Sequence, residues 1–268
     1  ALVWKTRGRQ FDSASGHMDK NFQLNYSKLM HSMYDQDERL KKANKTIAVL
    51  KDYLKEISTL TVLDIGSSTG IMTNEYAKHF KNVVGVDLDT TAIDHSINQY
   101  KKENLKFICS PIEEIDLPDE SFDVITCSQI YEHVPSDKKL MEEIMRLLKP
   151  GGVCYFAATN RFKIIEPHYK LPFLSYFPKK AANFYIRIFT NHDLYYENLK
   201  SLRNLQKLVS KFETIDYTLR IIKNPSKYSA DDMLKEKTFK FFMLNLIAEI
   251  LYFMIPTFIW VLKKPNSI

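Results

Sequence analysis

The chain has 268 residues, of which 45% are hydrophobic and 13% aromatic, and its formal net charge is +6. This length and apolar content exclude a disordered chain and predict one large domain, or one domain with an insertion. Three cysteines exclude a disulfide-stapled secreted scaffold and are typical of a reducing, cytoplasmic compartment. The lysine pairs are scattered along the chain, so we expect no nucleic-acid partner.

The N-terminal residues, 1–17, show no apolar periodicity and end in Gly-His immediately before Met18. We expect them to be a cloning-derived leader ahead of a native start. No apolar run typical of a signal peptide follows their basic residues. The remaining chain is expected to form a single domain over 18–264, followed by a short tail, 265–268.

Short β-branched runs alternate with helical periodicities between residues 59 and 160. The predicted strands cover 59–66, 82–89, 105–110, 122–128 and 151–160. The predicted helices cover 40–54, 71–80, 91–103 and 137–150. Strands that alternate with helices in this way predict an α/β fold, with a doubly wound parallel sheet that is buried on both faces. In such sheets the ligand lies at the carboxyl ends of the strands.

Beyond the fifth strand, the pattern predicts a helix at 201–212 and a sixth strand at 213–222. The intervening segment, 161–200, is rich in aromatic residues and proline. We expect this insertion to form a lid or wall over the ligand site, because apolar side chains line most small-molecule sites. The alternative is extra core packed under a long loop.

Two acidic strand ends predict a nucleoside site. The first strand runs into DIGSSTG, Asp64 to Gly70, and the second strand ends at Asp87. The turn between Gly66 and Gly70 allows backbone N–H groups to reach a ligand at a helix N-terminus, and an acid about twenty residues further on can bind ribose hydroxyls. The third glycine of the dinucleotide fingerprint is missing. The expected ligand therefore carries a ribose but no phosphate chain.

Five stretches, in order, resemble the successive motifs of the class I S-adenosylmethionine-dependent methyltransferases. They are VLDIGSSTG, VVGVDLD, FICSPIEEIDLPDESFDVI, CSQIYEHV and LLKPGGVCYFAATN. The resemblance covers about 40–160 and, more loosely, the chain to 264. It implies a Rossmann-like, seven-stranded, mostly parallel sheet with an antiparallel last strand. It also implies that S-adenosylmethionine is the cofactor, that S-adenosylhomocysteine is the product, and that the acceptor is a small-molecule or lipid-type compound.

The resemblance implies a cofactor-binding role for twelve residues. Those around the methionine part follow the first strand: Asp64, Gly66, Ser67, Ser68 and Gly70. Those around the ribose and adenine follow the second and third strands: Asp87, Leu88, Ser110, Pro111 and Ile112. Those under the sulfonium follow the fourth strand: Ser128 and Gln129. The chain departs from the usual pattern in having Ser68 in place of a glycine and Pro111 in place of an acid.

The stretch SQIYEHVP resembles the ubiquinone-type O-methyltransferases, in which carboxylates and a histidine at this place are associated with a divalent metal. Gln129 stands where one carboxylate is expected, and Glu132 with His133 makes a poor site, so we expect no metal. His133 is the candidate general base for an acceptor that must lose a proton. The alternative is a histidine bonded to backbone at a helix start. His168 and Tyr131 are weaker candidates.

The three cysteines, Cys109, Cys127 and Cys154, each lie in a predicted strand. Their separations of 18 and 27 residues are not those of a metal site. We therefore expect buried, structural thiols.

Two classes of function fit this site. One is an enzyme that transfers a methyl group in line from the cofactor to a small-molecule or lipid-type acceptor. The other is a non-catalytic S-adenosylmethionine-binding regulator or pseudoenzyme, which would keep the cofactor pocket without turnover. A dehydrogenase is a more distant alternative. The aromatic segment 161–200 favours the enzyme, because only the enzyme needs an acceptor pocket.

The C-terminal run 241–262 is long enough to span a bilayer. Glu249 and Asn245 lie within it, and Pro256 disfavours helix at the residue before it. We therefore predict a helix at 233–255 and a last strand at 257–264 in a protein that does not span a membrane. This apolar helix is a candidate for peripheral membrane contact.

Overall fold

A seven-stranded sheet forms the centre of the computed structural model, which describes residues 26–29, 31–166, 169–190 and 192–266. Its strands are β1 (Thr61–Ile65), β2 (Asn82–Asp87), β3 (Leu105–Cys109), β4 (Phe122–Ser128), β5 (Leu148–Thr159), β6 (Glu213–Asp216) and β7 (Thr257–Lys263). They lie in the order β3-β2-β1-β4-β5-β7-β6. β7 is antiparallel to β5 and β6, and the other neighbouring pairs are parallel. The predicted α/β fold and its antiparallel last strand are confirmed.

Helices cover both faces of this sheet. They are α1 (Gln36–Leu54), α2 (Ile71–Tyr76), α3 (Thr90–Gln99), α4 (Asp137–Leu147), α5 (Lys179–Phe189), α6 (Leu202–Leu208), α7 (Thr218–Lys223) and α8 (Phe239–Ile247). A single α-helical turn and five 3₁₀ turns complete the described helices: Tyr26–Leu29, His31–Tyr34, Ile112–Glu114, Leu174–Tyr176, Ser226–Tyr228 and Tyr252–Met254. α1 starts four residues earlier than predicted, because the Asp35 side chain caps it by accepting from the Glu38 N–H at 3.1 Å.

The core consists of two apolar layers, one on each face of the sheet. Alternation along β5 shows the division, since Cys154, Phe156 and Ala158 pack in one layer while Val153 and Tyr155 pack in the other. A strand that is buried on both faces has a continuous run of apolar residues, which is why β5 could be predicted from the sequence. This packing fixes the carboxyl ends of β1, β2 and β4 side by side at one edge of the sheet.

The predicted sixth strand, 213–222, is wrong beyond its fourth residue. β6 ends at Asp216, and the chain then enters α7. The Asp216 carboxylate accepts the Thr218 N–H at 2.7 Å, and the Thr218 hydroxyl accepts the Ile259 N–H at 3.0 Å. These side-chain bonds replace ladder bonds and turn the backbone, so the β-branched run continues as a helix.

The C-terminal helix is also shorter than predicted, while the last strand is confirmed as β7. Instead of a helix over 233–255, the structure has α8 and a later 3₁₀ turn. Lys237 has φ +62°, and the Thr238 hydroxyl caps α8 by accepting the Phe241 N–H at 3.1 Å, so the helix starts there. No helix in the described part of the chain combines the length and apolarity that a membrane crossing requires.

Candidate functional site

The loop after β1 is bound to β2 through its backbone. The N–H groups of Gly66 and Ser67 both donate to the Val86 carbonyl, at 2.8 and 3.0 Å. Gly66 has φ +76°, and an added Cβ would lie 2.1 Å from the Ile130 side chain. Gly70, at φ +75°, begins α2. A side chain at either position would be strained, so the loop can lie close to a ligand only because these residues are glycine.

Ser68 occupies the left-handed region in this loop, although it has a side chain. Its φ is +48°. Its N–H donates to the Asp87 carboxylate at 2.8 Å, and its carbonyl accepts from the Ser96 hydroxyl at 3.0 Å. These two bonds hold a conformation that is costly for a residue other than glycine.

Asp87, at the end of β2, is the acid that the sequence assigned to the ribose. One carboxylate oxygen accepts the Ser68 N–H at 2.8 Å and the other accepts the Asp89 N–H at 2.9 Å. Burial raises the pKa of this carboxyl, and the backbone N–H groups oppose the shift. Each oxygen of a carboxylate has two acceptor positions. The side chain is therefore fixed in place and keeps one position on each oxygen for a pair of hydroxyls.

Asp64, near the end of β1, lies beneath the loop rather than open to the cleft. It is buried, and its two oxygens accept from the hydroxyls of Thr73 and Thr126 at 2.6 and 2.5 Å. Burial raises the pKa of Asp64 from 3.8 to about 6, against the effect of the two hydroxyls. The sequence could not have indicated these partners, because Thr126 lies 62 residues away.

The residues assigned to the adenine continue this edge of the sheet. The Ser110 N–H donates to the Asp87 carbonyl at 3.0 Å, so the end of β3 is bound to the end of β2. Pro111 caps the 3₁₀ turn that follows, Ile112 is buried, and Leu88 is half-buried. The structure brings these predicted residues together with Asp87.

Gln129 directly follows Ser128, the last residue of β4, and connects this strand to β5 and α1. Its φ is +59°, and its N–H donates to the Ala157 carbonyl at 2.8 Å. Its side-chain amide donates to the Thr159 hydroxyl at 3.2 Å and accepts from Lys42 Nζ at 3.3 Å. Lys42, on α1, was missed by the sequence analysis, because it lies 87 residues away and belongs to no motif.

The candidate bases lie in the turn after β4. His133 is half-buried, and its N–H donates to the Ile130 carbonyl at 2.9 Å. Tyr131 is buried, donates to the Thr159 carbonyl and accepts the Lys200 N–H at 3.0 Å, so its hydroxyl holds backbone. His168 lies outside the described residues. Within the described ranges, no cluster of three His, Cys, Asp or Glu side chains could hold a metal ion.

The expectation of three buried thiols is wrong for one of them. Cys127 and Cys154 are buried in β4 and β5, but Cys109 is exposed. It is the last residue of β3, an edge strand paired on one side to β2. An edge strand has one neighbour, which leaves its last side chain accessible to solvent.

The segment before α1 covers the loop after β1 and was also missed. The Met33 carbonyl accepts from the Thr69 hydroxyl at 2.6 Å. The Ser27 N–H donates to the Asp89 carboxylate at 2.8 Å, and Tyr34 stacks edge-on against His95 with ring centroids 5.2 Å apart. The site is therefore closed on this side by residues 27–29 and 31–34, for which the sequence showed no motif.

Segment 161–200 leaves β5 and returns to the turn after β4. The Arg161 guanidinium donates to the carbonyls of Ser175 and Tyr176 at 2.9 and 3.2 Å. At the other end, the Lys200 N–H donates to Tyr131 as described above. Its own small core contains Leu174, Ala182, Ile186 and Tyr195. The segment is thus a packed unit at the carboxyl end of β5, adjacent to Gln129.

Comparisons with known proteins show similarity to methyltransferases. Residues 63–156 match a family model described as a methyltransferase domain. The ubiquinone biosynthesis O-methyltransferase of Coxiella burnetii is 30% identical over 150 residues, which are 54% of this chain and 64% of that protein. Its namesake from Hydrogenovibrio crunogenus is 28% identical over 144 residues, 51% of this chain and 59% of that protein. The match therefore spans less than two thirds of the length of either relative.

Solved structures share the fold of this chain. The phosphoethanolamine N-methyltransferase 2 of Haemonchus contortus, in complex with S-adenosyl-L-methionine, has a TM-score of 0.51 at 20% identity and covers 83% of this chain and 52% of its own. An S-adenosylmethionine-dependent methyltransferase from Mesorhizobium loti has a TM-score of 0.53 at 15% identity, over 81% of this chain and 96% of its own. At these identities the likeness shows the fold alone.

The residues at the carboxyl ends of β1 and β2 fit S-adenosylmethionine, the cofactor that the resemblance implies. Asp87 keeps an acceptor position on each oxygen, which suits a ribose diol. The Ser67 hydroxyl is buried and has no hydrogen-bond partner among the described residues, so a ligand atom would satisfy it.

Proposed function

We propose that this chain transfers the methyl group of S-adenosylmethionine to a small-molecule, lipid-type acceptor. The observation that supports this most directly is the Asp87 carboxylate, which two backbone N–H groups fix beside the glycine loop of a methyltransferase fold. Eleven of the twelve residues given by the sequence are the proposed cofactor contacts, and Asp64 supports the loop from beneath through Thr73 and Thr126. The relatives that match are named for ubiquinone biosynthesis, which favours an apolar acceptor.

The proposed mechanism relies on positioning. The sulfonium of the bound cofactor supplies an already activated methyl group, so holding the acceptor in line provides most of the acceleration. Asp87 and the loop from Gly66 to Gly70 hold the ribose and methionine parts. Gln129, fixed by β5 and Lys42, shapes the floor beneath the transfer site. His133 is the proposed base, which takes the proton that an acceptor hydroxyl loses.

We assign segment 161–200 the role of a lid over the acceptor, within a single methyltransferase domain over 18–264. Two features support this. The segment starts beside Gln129 at the carboxyl end of β5, and it carries edge-to-face aromatic pairs such as Phe162 with Tyr176, whose centroids are 5.4 Å apart. Such a wall excludes water and suits an apolar acceptor.

The proposed setting is the cytoplasm, with peripheral contact to a membrane through residues 233–255 and no nucleic-acid partner. The reducing compartment follows from the three free cysteines among the described residues. Membrane contact follows from the proposed acceptor, because a lipid-type molecule resides in a bilayer.

The test combines calorimetry with product detection. We expect S-adenosylmethionine to bind the full chain, and S-adenosylhomocysteine to accumulate when an isoprenoid phenol is added, as mass spectrometry would show. His133→Gln should lower kcat by roughly 10²–10⁴-fold without changing cofactor affinity. His79→Gln, in the turn that follows α2, is the matched control.

Two results would contradict these proposals. Cofactor binding without product from any phenolic or lipid acceptor would favour a non-catalytic regulator. An unchanged kcat in His133→Gln would remove His133 as the base while leaving the methyltransferase activity in place.

A further inference from the structure

Lys42, on α1, lies beside Gln129 without a carboxylate partner. Its ammonium group donates to the Gln129 side-chain oxygen at 3.3 Å. Within the described ranges this is its one hydrogen bond, and no carboxylate there forms an ion pair with it. The side chain is accessible to solvent, yet enough protein surrounds it to lower its pKa by burial. Both properties are expected of a lysine that lines a cleft.

The neighbouring basic residue of α1 has a different orientation. Arg39, one turn earlier, lies with its guanidinium 4.0 Å from the sulfur of Met72, the second residue of α2. Arg39 is therefore directed toward the glycine loop, where α2 begins. Lys42 is instead directed toward the ends of β4 and β5, because Gln129 follows β4 and is bound to β5. Lys42 thus lies on the acceptor side of the site.

Lys163 approaches the same place from the chain that follows β5. The Gln129 amide donates to Thr159, the last residue of β5, at 3.2 Å. The Lys163 N–H donates to the carbonyl of the next residue, Asn160, at 3.3 Å. Lys163 is near enough to Lys42 for its charge to lower the pKa of Lys42. It is half-buried, and its ammonium group has neither a hydrogen bond nor an ion pair to any described residue.

The charges around Lys42 are mostly positive. Of the four charged side chains that act most strongly on its pKa, three are cations that lower it: Arg39, Lys45 and Lys163. The fourth, Glu38, raises this pKa but is itself paired with Lys41 at 3.1 Å. Asp232 offsets the charge of Lys45, which is buried. An anion in the cleft beside Lys42 would therefore be attracted to it.

Two carboxylates offset the charge of Lys163 but lie on its inner side. Glu132 and Glu166 raise the pKa of Lys163, against the effect of burial. Their exposed fractions are 1% and 0%, and neither forms an ion pair with Lys163. The ammonium groups of Lys42 and Lys163 are more accessible than these carboxylates. A ligand that enters the cleft therefore meets the two lysines first.

We propose that Lys42 and Lys163 bind an anionic group, a carboxylate or a phosphate, on the methyl acceptor. Two ammonium groups that repel each other are both stabilised by one anion between them. The inference rests on the proposed function and narrows its substrate class, because it makes the acceptor a lipid-type acid. Binding the acid beside Gln129 leaves the aromatic side chains of segment 161–200 to hold its apolar part.

The test is calorimetric titration of three compounds into the full chain saturated with S-adenosylhomocysteine, which requires no turnover. The compounds are an isoprenoid-substituted phenol, the same phenol with a carboxylate on the ring, and the same phenol with a phosphate on the ring. We expect at least one of the two acids to bind about tenfold or more tightly than the neutral phenol. The tighter acid identifies the anion, and added salt should reduce the difference.

Variants of the two lysines locate the effect. Lys42→Met and Lys163→Met should each remove most of the preference for the acid and leave the affinity for the neutral phenol unchanged. Lys42→Arg keeps the charge and should retain the preference. Lys51→Met, which alters an exposed lysine in the last turn of α1, is the matched control. The affinity for S-adenosylhomocysteine reports whether each variant keeps its fold.

The outcomes separate this proposal from the proposed function. Equal affinities of the wild-type chain for the phenol and both acids would overturn the anion site, while methyl transfer to the phenol would leave the proposed function in place. Weaker S-adenosylhomocysteine binding by Lys42→Met, with the acid preference unchanged, would assign Lys42 to the cofactor and also overturn the proposal. Tight binding of an acid that is never methylated would support the anion site and contradict the proposed function alone.

Discussion

Replacing Asp87 tests the central contact of the cofactor site. In Asp87→Ala the ribose loses the carboxylate that the N–H groups of Ser68 and Asp89 now hold at 2.8 and 2.9 Å. A hydrogen bond to a charged group contributes about 1.5–3 kcal/mol, and water recovers part of that in the variant. We therefore expect S-adenosylhomocysteine to bind about 1–3 kcal/mol more weakly. Isothermal titration calorimetry should then show a Kd increased roughly 5- to 150-fold.

The variant also releases the Ser68 N–H, so weaker binding alone would not locate the effect at the ribose. A thermodynamic cycle with the 2′-deoxy analogue of S-adenosylhomocysteine separates the two causes. The wild-type chain should lose affinity when the 2′-hydroxyl is absent, while Asp87→Ala should bind the two ligands alike. Asp94→Ala, which removes an exposed carboxylate from α3, is the matched control.

Two results would refute this reasoning. An unchanged Kd in Asp87→Ala would show that the ribose lies elsewhere. Equal losses on removing the 2′-hydroxyl in both proteins would show that Asp87 acts only on the loop. In that case the role of Asp87 would be to hold Ser68 at φ +48° through its N–H. Urea unfolding of Asp87→Ala would then show a lower free energy of unfolding.

Three further predictions concern stability and the lid. The pKa of Asp64 is about 6 in the folded chain against 3.8 ordinarily, so its effect on stability is favourable at low pH and is lost as pH rises through about 6. Asp64→Asn should therefore gain about 2 kcal/mol relative to wild type between pH 4 and pH 7 in urea unfolding, and parallel pH profiles would contradict this. Ser68→Val should lower the free energy of unfolding by about 1–3 kcal/mol in the same assay, and Ser68→Gly should not, because glycine adopts a positive φ without strain. Equal losses of stability in the two variants would argue against strain at Ser68. Arg161→Ala should lower kcat while sparing cofactor affinity, with Arg203→Ala on α6 as control; equal loss of both would mean that segment 161–200 supports the whole fold.

Most of the sheet could be predicted because its central strands, β1, β4 and β5, are buried on both faces. The β-branched runs of the sheet, such as Val83–Val86, carry the signal in consecutive residues. The prediction extended β6 too far because the side chains of Asp216 and Thr218 determine where the strand ends. It started the C-terminal helix too early because the Thr238 cap determines where α8 begins. Such ends depend on one or two polar side chains, which apolar periodicity does not register.

In the candidate site, too, some residues could be predicted from the sequence and others could not. The residues on the cofactor side are close together in sequence, since the loop from Gly66 to Gly70 and Asp87 follow two successive strands. Lys42 contacts Gln129 across 87 residues, and Ser27 contacts Asp89 across 62. No local pattern marks such pairs, because each depends on how distant elements pack together.

This difference explains why the sequence indicates the cofactor more sharply than the acceptor. The cofactor contacts come from loops that directly follow β1, β2 and β3, so their spacing is set by short βα units and leaves a motif. The proposed acceptor side comes from segment 161–200, whose end is held because the Tyr131 hydroxyl accepts the Lys200 N–H. The Asn160 side chain holds the chain before β7 in the same way, through the Phe253 carbonyl. Bonds to the backbone are compatible with any side chain at the bonded residue. The proposed acceptor side can therefore vary in sequence while keeping its place, and substitutions within segment 161–200 will define the acceptor better than further motifs.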